Sequence, residues 1–202
     1  PSYQQYNYRN HARFTVRFNG QLGFSNRITR RFVRVDECQI MDPLINETLS
    51  GLQGKCYETS NLSVRVGSAT GDRLIQPTLL DSTIPYETGQ KWYTEKINDT
   101  EFRVASPSFF QVNTKQAELM IDLVLDNLDL HGDEVVVDAY AGVGTFAVEL
   151  ARKAAQVVAI EESSSAVEDS AHSMANLDNV EFKLGKTEDV LPTLTHKVDA
   201  LI

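Results

Sequence analysis

Val135-Val136-Val137-Asp138-Ala139-Tyr140-Ala141-Gly142-Val143-Gly144-Thr145-Phe146 decides how this 202-residue chain folds. Glu134–Val137 is a short, β-branched apolar run and reads as a buried strand. Gly142 and Gly144 tolerate positive φ and make a tight turn. From Thr145 to Ala154, the residues Phe146, Ala147, Leu150, Ala151 and Ala154 fall on one helical face. The same alternation continues on both sides. Upstream, Thr114–Leu128 carries an apolar helical stripe of Ala117, Met120, Ile121, Val124, Leu125 and Leu128. Downstream, Val157–Ile160 reads as a second buried strand, and Ser165-x-x-Glu168 as a capping box that opens the next helix. Val180–Leu184 and Val198–Ile202 supply a third and a fourth strand. Strands that alternate with helices of about 10–15 residues predict an α/β fold with a parallel, doubly wound sheet over residues 106–202. The sequence ends inside its fourth strand, so a truncated sheet cut from a longer protein is expected.

The glycine turn is built to let a ligand lie against backbone, with the free N–H groups of a helix start behind it. Glu161 follows at the end of the second strand, where an acid can accept hydrogen bonds from ribose hydroxyls. Two cofactors fit. As G-x-G-x-x-A, residues 142–147 match the dinucleotide fingerprint. As D-x-Y-x-G-x-G-x-F, residues 138–146 match an S-adenosylmethionine loop. Asp138 favours the second, because a carboxylate there attracts a cationic amino group and repels a pyrophosphate. A plain strand–turn–helix without a ligand is the bland alternative.

Residues 1–105 read differently. His11–Phe18 alternates, with Phe14 and Val16 on one face and Arg13, Thr15 and Arg17 on the other. Asn19-Gly20 predicts a two-residue hairpin turn. Further strands are expected at Phe32–Val35, Leu62–Val66, Leu74–Leu79, Lys91–Ile97 and Glu101–Ala105, with a short helix at Pro43–Leu52. This predicts a smaller, strand-rich α+β domain over residues 1–105, followed by the doubly wound domain over 106–202.

The formal net charge is −9, which taken alone argues against nucleic acid, but it is unevenly spread. Residues 1–105 carry 13 basic and 11 acidic residues, and residues 106–202 carry 6 and 17. Residues 1–35 hold seven arginines and no Asp, Glu or Lys, interleaved with Tyr3, Tyr6, Tyr8, Phe14, Phe18, Phe24 and Phe32. As the solvent face of a strand this pattern is ordinary. As an RNA-backbone contact it would use Arg9, Arg13 and Arg17. Two cysteines, Cys38 and Cys56, cannot build a disulfide framework and predict a reducing, cytoplasmic setting. No stretch is long and apolar enough for a membrane span.

Three blocks carry a family resemblance. Ser106-Pro107-Ser108-Phe109-Phe110-Gln111-Val112-Asn113 resembles the S-P-x-S-F-F-Q-V-N signature of the RNA uracil-5 methyltransferases, one residue short between Pro107 and Ser108. Tyr8-Arg9-Asn10 resembles the opening of that family's central domain, and Asp138–Phe146 its cofactor loop. The blocks occur in the family's order and span essentially the whole chain. The resemblance implies a Rossmann-like methyltransferase domain, S-adenosylmethionine as cofactor, tRNA or rRNA as partner, a monomer, and 5-methyluridine as product.

It also implies individual roles. Gln111 contacts the methionine end of the donor; Tyr140 and Thr145, with Asp138, Gly142 and Gly144, line its site; Glu161 holds the ribose. The stretch Gly185-Lys186-Thr187-Glu188 approaches the adenine. The family's D-P-P-R segment, nucleophilic cysteine and base lie beyond Ile202, so the fragment alone is expected to be inactive. Cys38 resembles an iron–sulfur ligand of some members, but one cysteine cannot hold a cluster. No catalytic residue and no metal ligand is assigned within the chain.

The remaining residues read plainly. His11, His131, His172 and His196 lack metal-ligand spacing. Trp92 reads as core rather than as a base-stacking platform. A methyltransferase of a small molecule or protein, and a non-catalytic binding relic, are the competing classes.

Overall fold

A computed structural model describes residues 4–195 and 197–202, so Tyr3 and His196 lie outside the described residues. The chain forms two compact units, Pro1–Glu95 and Lys96–Ile202. The division falls before the boundary expected at 105/106. The reason is local: the strand ending at Ala105 is fastened to a helix of the second unit by side chains described below.

The first unit holds β1 (His11–Arg17), β2 (Gln21–Ser25), β3 (Phe32–Arg34), α1 (Pro43–Leu52), β4 (Asn61–Val66) and β5 (Arg73–Gln76). Its antiparallel sheet has the order β3-β2-β1-β4-β5. Alternation along β1 sends Ala12, Phe14 and Val16 into a core with Leu22, Ile45, Leu49, Leu62 and Val64. Arg13 and Arg17 stay exposed on the other face. α1 starts where the Asp42 side chain accepts the Leu44 N–H, with Pro43 in the first turn, where a missing N–H costs nothing.

Two local expectations change here. The first hairpin has a three-residue loop, Phe18-Asn19-Gly20, all at positive φ, because β1 ends at Arg17 paired with Gln21. Gly20 is required there, since a Cβ would stand 2.7 Å from the Cys56 nitrogen. β5 stops at Gln76 because Pro77 has no N–H to continue the ladder.

β6 (Trp92–Ile97) spans the division between the units. The second unit continues through β7 (Thr100–Ala105), α2 (Thr114–Leu128), β8 (Val135–Asp138), α3 (Thr145–Ala151), β9 (Gln156–Glu161) and α4 (Ser164–Ser173). It ends with β10 (Val180–Leu184), α5 (Thr187–Val190), a 3-10 turn at Leu191–Thr193, and β11 (Ala200–Leu201). β8, β9, β10 and β11 are all parallel, in the order β10-β9-β8-β11. This is the doubly wound, Rossmann-like arrangement, and the order reverses between β8 and β11. Val137, Val158 and Ile160 pack on one side beneath Val190, Leu191, Leu194 and Val198.

α3 is shorter than expected, ending at Ala151. α4 is capped by Ser163, whose side chain accepts the Ala166 N–H, and not by Ser165. The Ser165 hydroxyl instead lies 3.0 Å from that of Ser163 and 3.3 Å from that of Ser108. Among the described residues no helix is long and apolar enough to cross a membrane.

Candidate functional site

Parallel pairing brings the C-terminal ends of β8 and β9 to one edge, and with them Asp138 and Glu161. A cavity of about 690 Å³ opens there, lined by Tyr140, Glu161, Glu162, Gly185, Lys186, Thr187, Glu188 and Asp189. Four carboxylates against one ammonium make it an acidic site. Such a lining favours a cationic ligand and repels a pyrophosphate, which strengthens the distinction drawn from Asp138.

Glu161 is a structural staple as well as a cavity wall. Its Oε2 accepts the Gly142 N–H at 2.8 Å and its Oε1 accepts the Ser163 N–H at 2.8 Å. The two loops that follow β8 and β9 are thereby tied together. Each carboxylate oxygen keeps a further acceptor site. Glu162 lines the cavity as well, because β9 ends at Glu161 and strand alternation no longer applies to the next residue.

The two loop glycines differ in what they need. Gly142 has φ +55 and open space around the position of a Cβ. Gly144 has φ +84, and a Cβ there would stand 2.1 Å from the Met174 methyl carbon. Gly142 therefore leaves room against the backbone, whereas Gly144 serves close packing. Thr145 opens α3 and is buried.

Asp138 is 4% exposed, and its Oδ2 has no hydrogen-bond partner. Burial pushes its carboxyl up to about 7, opposed by the backbone N–H groups of Ala147 and Tyr140 and aided by the charge of Glu161. An unpartnered buried carboxylate oxygen is unfavourable unless something polar meets it. A cationic amino group is one chemistry that satisfies it, and the acidic residues of the neighbouring cavity, which Asp138 does not itself line, fit a ligand with such a group.

Tyr140 is exposed, and its hydroxyl donates to Glu188 Oε1 at 3.1 Å. Thr187 donates its hydroxyl to the Ala139 carbonyl. α5 thus reaches across to the glycine loop, and Lys186, Glu188 and Asp189 become cavity walls. Lys186 and Glu188 fall in the stretch that the resemblance pointed to, whereas Asp189 carried no signal beyond its place after the third parallel strand.

Gln111 is half-buried between β7 and α2 and is not among the cavity residues. Its surroundings are firmly built. Buried Asp169 of α4 accepts the Ala105 N–H at 2.7 Å, the Ser108 hydroxyl at 2.8 Å and Arg103 Nε at 3.3 Å. Phe110 is buried with its ring 5.7 Å from that of Phe102, and Asn113 caps α2 through the Gln116 N–H.

In the first unit, Arg9 donates Nε to the His11 carbonyl, and Arg13 and Arg17 project from β1 into solvent. Arg65, overlooked in the sequence, stands opposite His11 on β4. Burial, with Arg65, Arg9 and Arg13 close by, lowers His11 to about 4. Arg17 lies at the far end of the strand. Trp92 is 49% exposed, so its expected place in the core is corrected: the inward position of β6 is taken by Tyr93. Cys56 is buried with its thiol pushed up to about 12 by burial, and Cys38 is partly buried against the core. Among the described residues no cluster of His, Cys, Asp or Glu could hold a metal ion.

Residues 90–197 match the model of the tRNA (Uracil-5-)-methyltransferase family. An uncharacterized RNA methyltransferase of Synechocystis sp. is 29% identical over 90% of this chain and 51% of its own length. One from Enterococcus faecalis is 40% identical over 56% of this chain and 25% of its own. The chain thus spans about half the length, or less, of these relatives. Among solved structures, the Pyrococcus abyssi tRNA (uracil-54, C5)-methyltransferase in complex with S-adenosyl-L-homocysteine superposes with a TM-score of 0.76 at 19% identity. That likeness covers 100% of this chain and 60% of the Pyrococcus one, and it shows a shared fold.

Proposed function

The chain belongs to the tRNA (uracil-5-)-methyltransferase family, and we propose that the protein transfers a methyl group from S-adenosylmethionine to carbon 5 of a uridine in tRNA or rRNA. The match over residues 90–197 carries this reading, because it takes in the F-F-Q-V-N block and the glycine loop together. The acidic cavity and the unpartnered Asp138 oxygen support a cationic cofactor. When bound, that cofactor supplies an electrophilic methyl group on a sulfonium.

The chain's own residues hold and orient. Asp138 receives the amino group of the methionine end. Gly142 leaves the backbone open to it. Gly144 and Thr145 set the start of α3. Glu161 accepts from ribose hydroxyls, and Tyr140 closes one side of the cavity. Gln111, held by the Asp169 clamp on its loop, meets the methionine end. In the first unit, Arg9, Arg13 and Arg17 contact RNA phosphates, where guanidinium charge releases counterions.

The test is full-length protein incubated with methyl-labelled donor and total RNA, followed by nucleoside analysis. Label in 5-methyluridine is expected. Label in another nucleoside, or in none, rejects the proposal.

A further inference from the structure

The first unit has a second cavity, of about 640 Å³, unrelated to the glycine loop. It is lined by Arg73, Tyr86, Glu87, Gln90, Lys91 and Trp92, with Gly71, Asp72 and Pro85. We propose that this cleft is a subsite for a single unstacked RNA nucleobase, one other than the base that is methylated. The inference rests on the RNA reading above.

Its walls are preorganised. The Arg73 guanidinium lies 5.1 Å from the centroid of the Tyr86 ring. Arg73 is fixed from the other side by Glu47 Oε2 at 3.0 Å and the Thr48 hydroxyl at 3.1 Å, both on α1. The Tyr86 hydroxyl donates to the Glu47 carbonyl at 3.2 Å. Gly51 is what lets the ring lie there, since a Cβ would stand 2.6 Å from it. Gln90 is held by the Ile75 N–H and the Glu87 carbonyl. A cation–aromatic pair locked onto a helix offers a flat surface that loses little entropy on binding.

The same cleft is lined by Trp92, half-exposed at the start of β6. An exposed indole beside a fixed tyrosine and a guanidinium plane matches the way proteins stack single-stranded bases. The charges select a base over a phosphate. Arg73 is already paired with Glu47, and Glu87 and Asp72 would repel a phosphate seated in the cleft. The Asp72 carboxylate is in turn occupied by the Thr94 N–H and hydroxyl. Glu87 and Lys91 have no side-chain hydrogen bond or ion pair among the described residues. They offer one acceptor and one donor to the edge of a base, and Lys91 can also meet a flanking phosphate.

Trp92 is the one tryptophan in the chain, so its fluorescence reads this cleft directly. The 202-residue chain is titrated with a ten-nucleotide single-stranded RNA and with an abasic ribose-phosphate oligomer of equal length. Affinity is measured in parallel by anisotropy of the labelled RNA. Saturable quenching by the RNA and none by the abasic oligomer is expected. Trp92→Ala should weaken RNA binding about 5- to 150-fold, with Trp92→Phe close to the parent.

Circular dichroism of both variants confirms that they fold, as an exposed position allows. Equal affinity of Trp92→Ala and the parent for RNA overturns the subsite while leaving the methyl-transfer reading intact. Tighter quenching by a proline-rich peptide than by RNA overturns it in favour of a peptide groove. No RNA binding by the full-length protein overturns it too, and only absence of methyl transfer by the full-length protein would reach the reading beneath it.

Discussion

Replacing Asp138 with Asn removes one negative charge from the buried end of β8 without changing its shape. In the free protein that charge is a burden. The carboxyl titrates at about 7 in the fold against an ordinary 3.8, a difference equivalent to about 4 kcal/mol at 1.36 kcal/mol per pH unit. The sign follows from linkage. A raised pKa means that the fold binds a proton that the unfolded chain has already lost between pH 4 and 7. Stability from this group is therefore complete below pH 4, falls as pH rises through 7, and is flat above. The parent should lose up to about 4 kcal/mol across that window relative to Asp138→Asn, so the variant should be the more stable protein at pH 8.

Urea unfolding of both proteins from pH 5 to 9 measures the difference directly. Parallel stability curves, or a parent that gains on the variant as pH rises, would refute the reasoning. The same charge should be an asset once a cationic ligand is present. Asp138→Asn should bind S-adenosylhomocysteine about 10- to 100-fold more weakly, the loss of a hydrogen bond to a charged group. Binding to the parent at pH 7 should also release roughly half a proton, seen in calorimetry across buffers of different ionisation enthalpy.

The remaining predictions concern the loops and the basic face. Glu161→Ala should cost roughly ten- to a hundredfold in S-adenosylhomocysteine affinity, while Glu162→Ala changes little; equal losses would show that the cavity does not distinguish its two adjacent glutamates. Gly144→Ala should destabilise the fold by about 1–2 kcal/mol, chiefly through its positive φ, since the Met174 methyl that a Cβ would meet is the end of a flexible side chain and can move aside. Gly142→Ala faces only the conformational cost, about 1 kcal/mol, and its larger effect should be on ligand affinity; thermal unfolding beside calorimetry separates the two. Replacing Arg9, Arg13 and Arg17 together with Ala in the full-length protein should flatten the salt dependence of RNA binding, and an unchanged slope would leave these arginines as an ordinary solvated strand face.

Much of the architecture was written locally. Pro43–Leu52 and Thr114–Leu128 are helices over the residues expected, because Asp42 with Pro43, and Asn113, mark their starts in the sequence itself. β8 and β9 were legible because fully buried strands leave unbroken β-branched runs. What stayed hidden depends on distant partners. Ser163 and Ser165 are alike in sequence; the helix starts at Ser164, so Ser163 caps it and the Ser165 hydroxyl, inside the first turn, meets Ser163 and Ser108 instead. Trp92 and Tyr93 alternate along one strand, and nothing local says which faces inward. Glu161 was legible as an acid at a strand end but not as the staple between two loops, since its bond to the Gly142 N–H joins a different β-α loop, although its bond to the Ser163 N–H is local.

Histidine is usually the residue that makes a basic surface sensitive to physiological pH. Here His11, among Arg9, Arg13 and Arg65, is already neutral well below pH 6, because its titration is displaced to about 4. The positive potential of this strand face is supplied by guanidinium groups alone, which do not deprotonate. It therefore behaves as a fixed-charge electrode. Acidification within the range a cell experiences leaves its field unchanged, and ionic strength is the variable to which it responds.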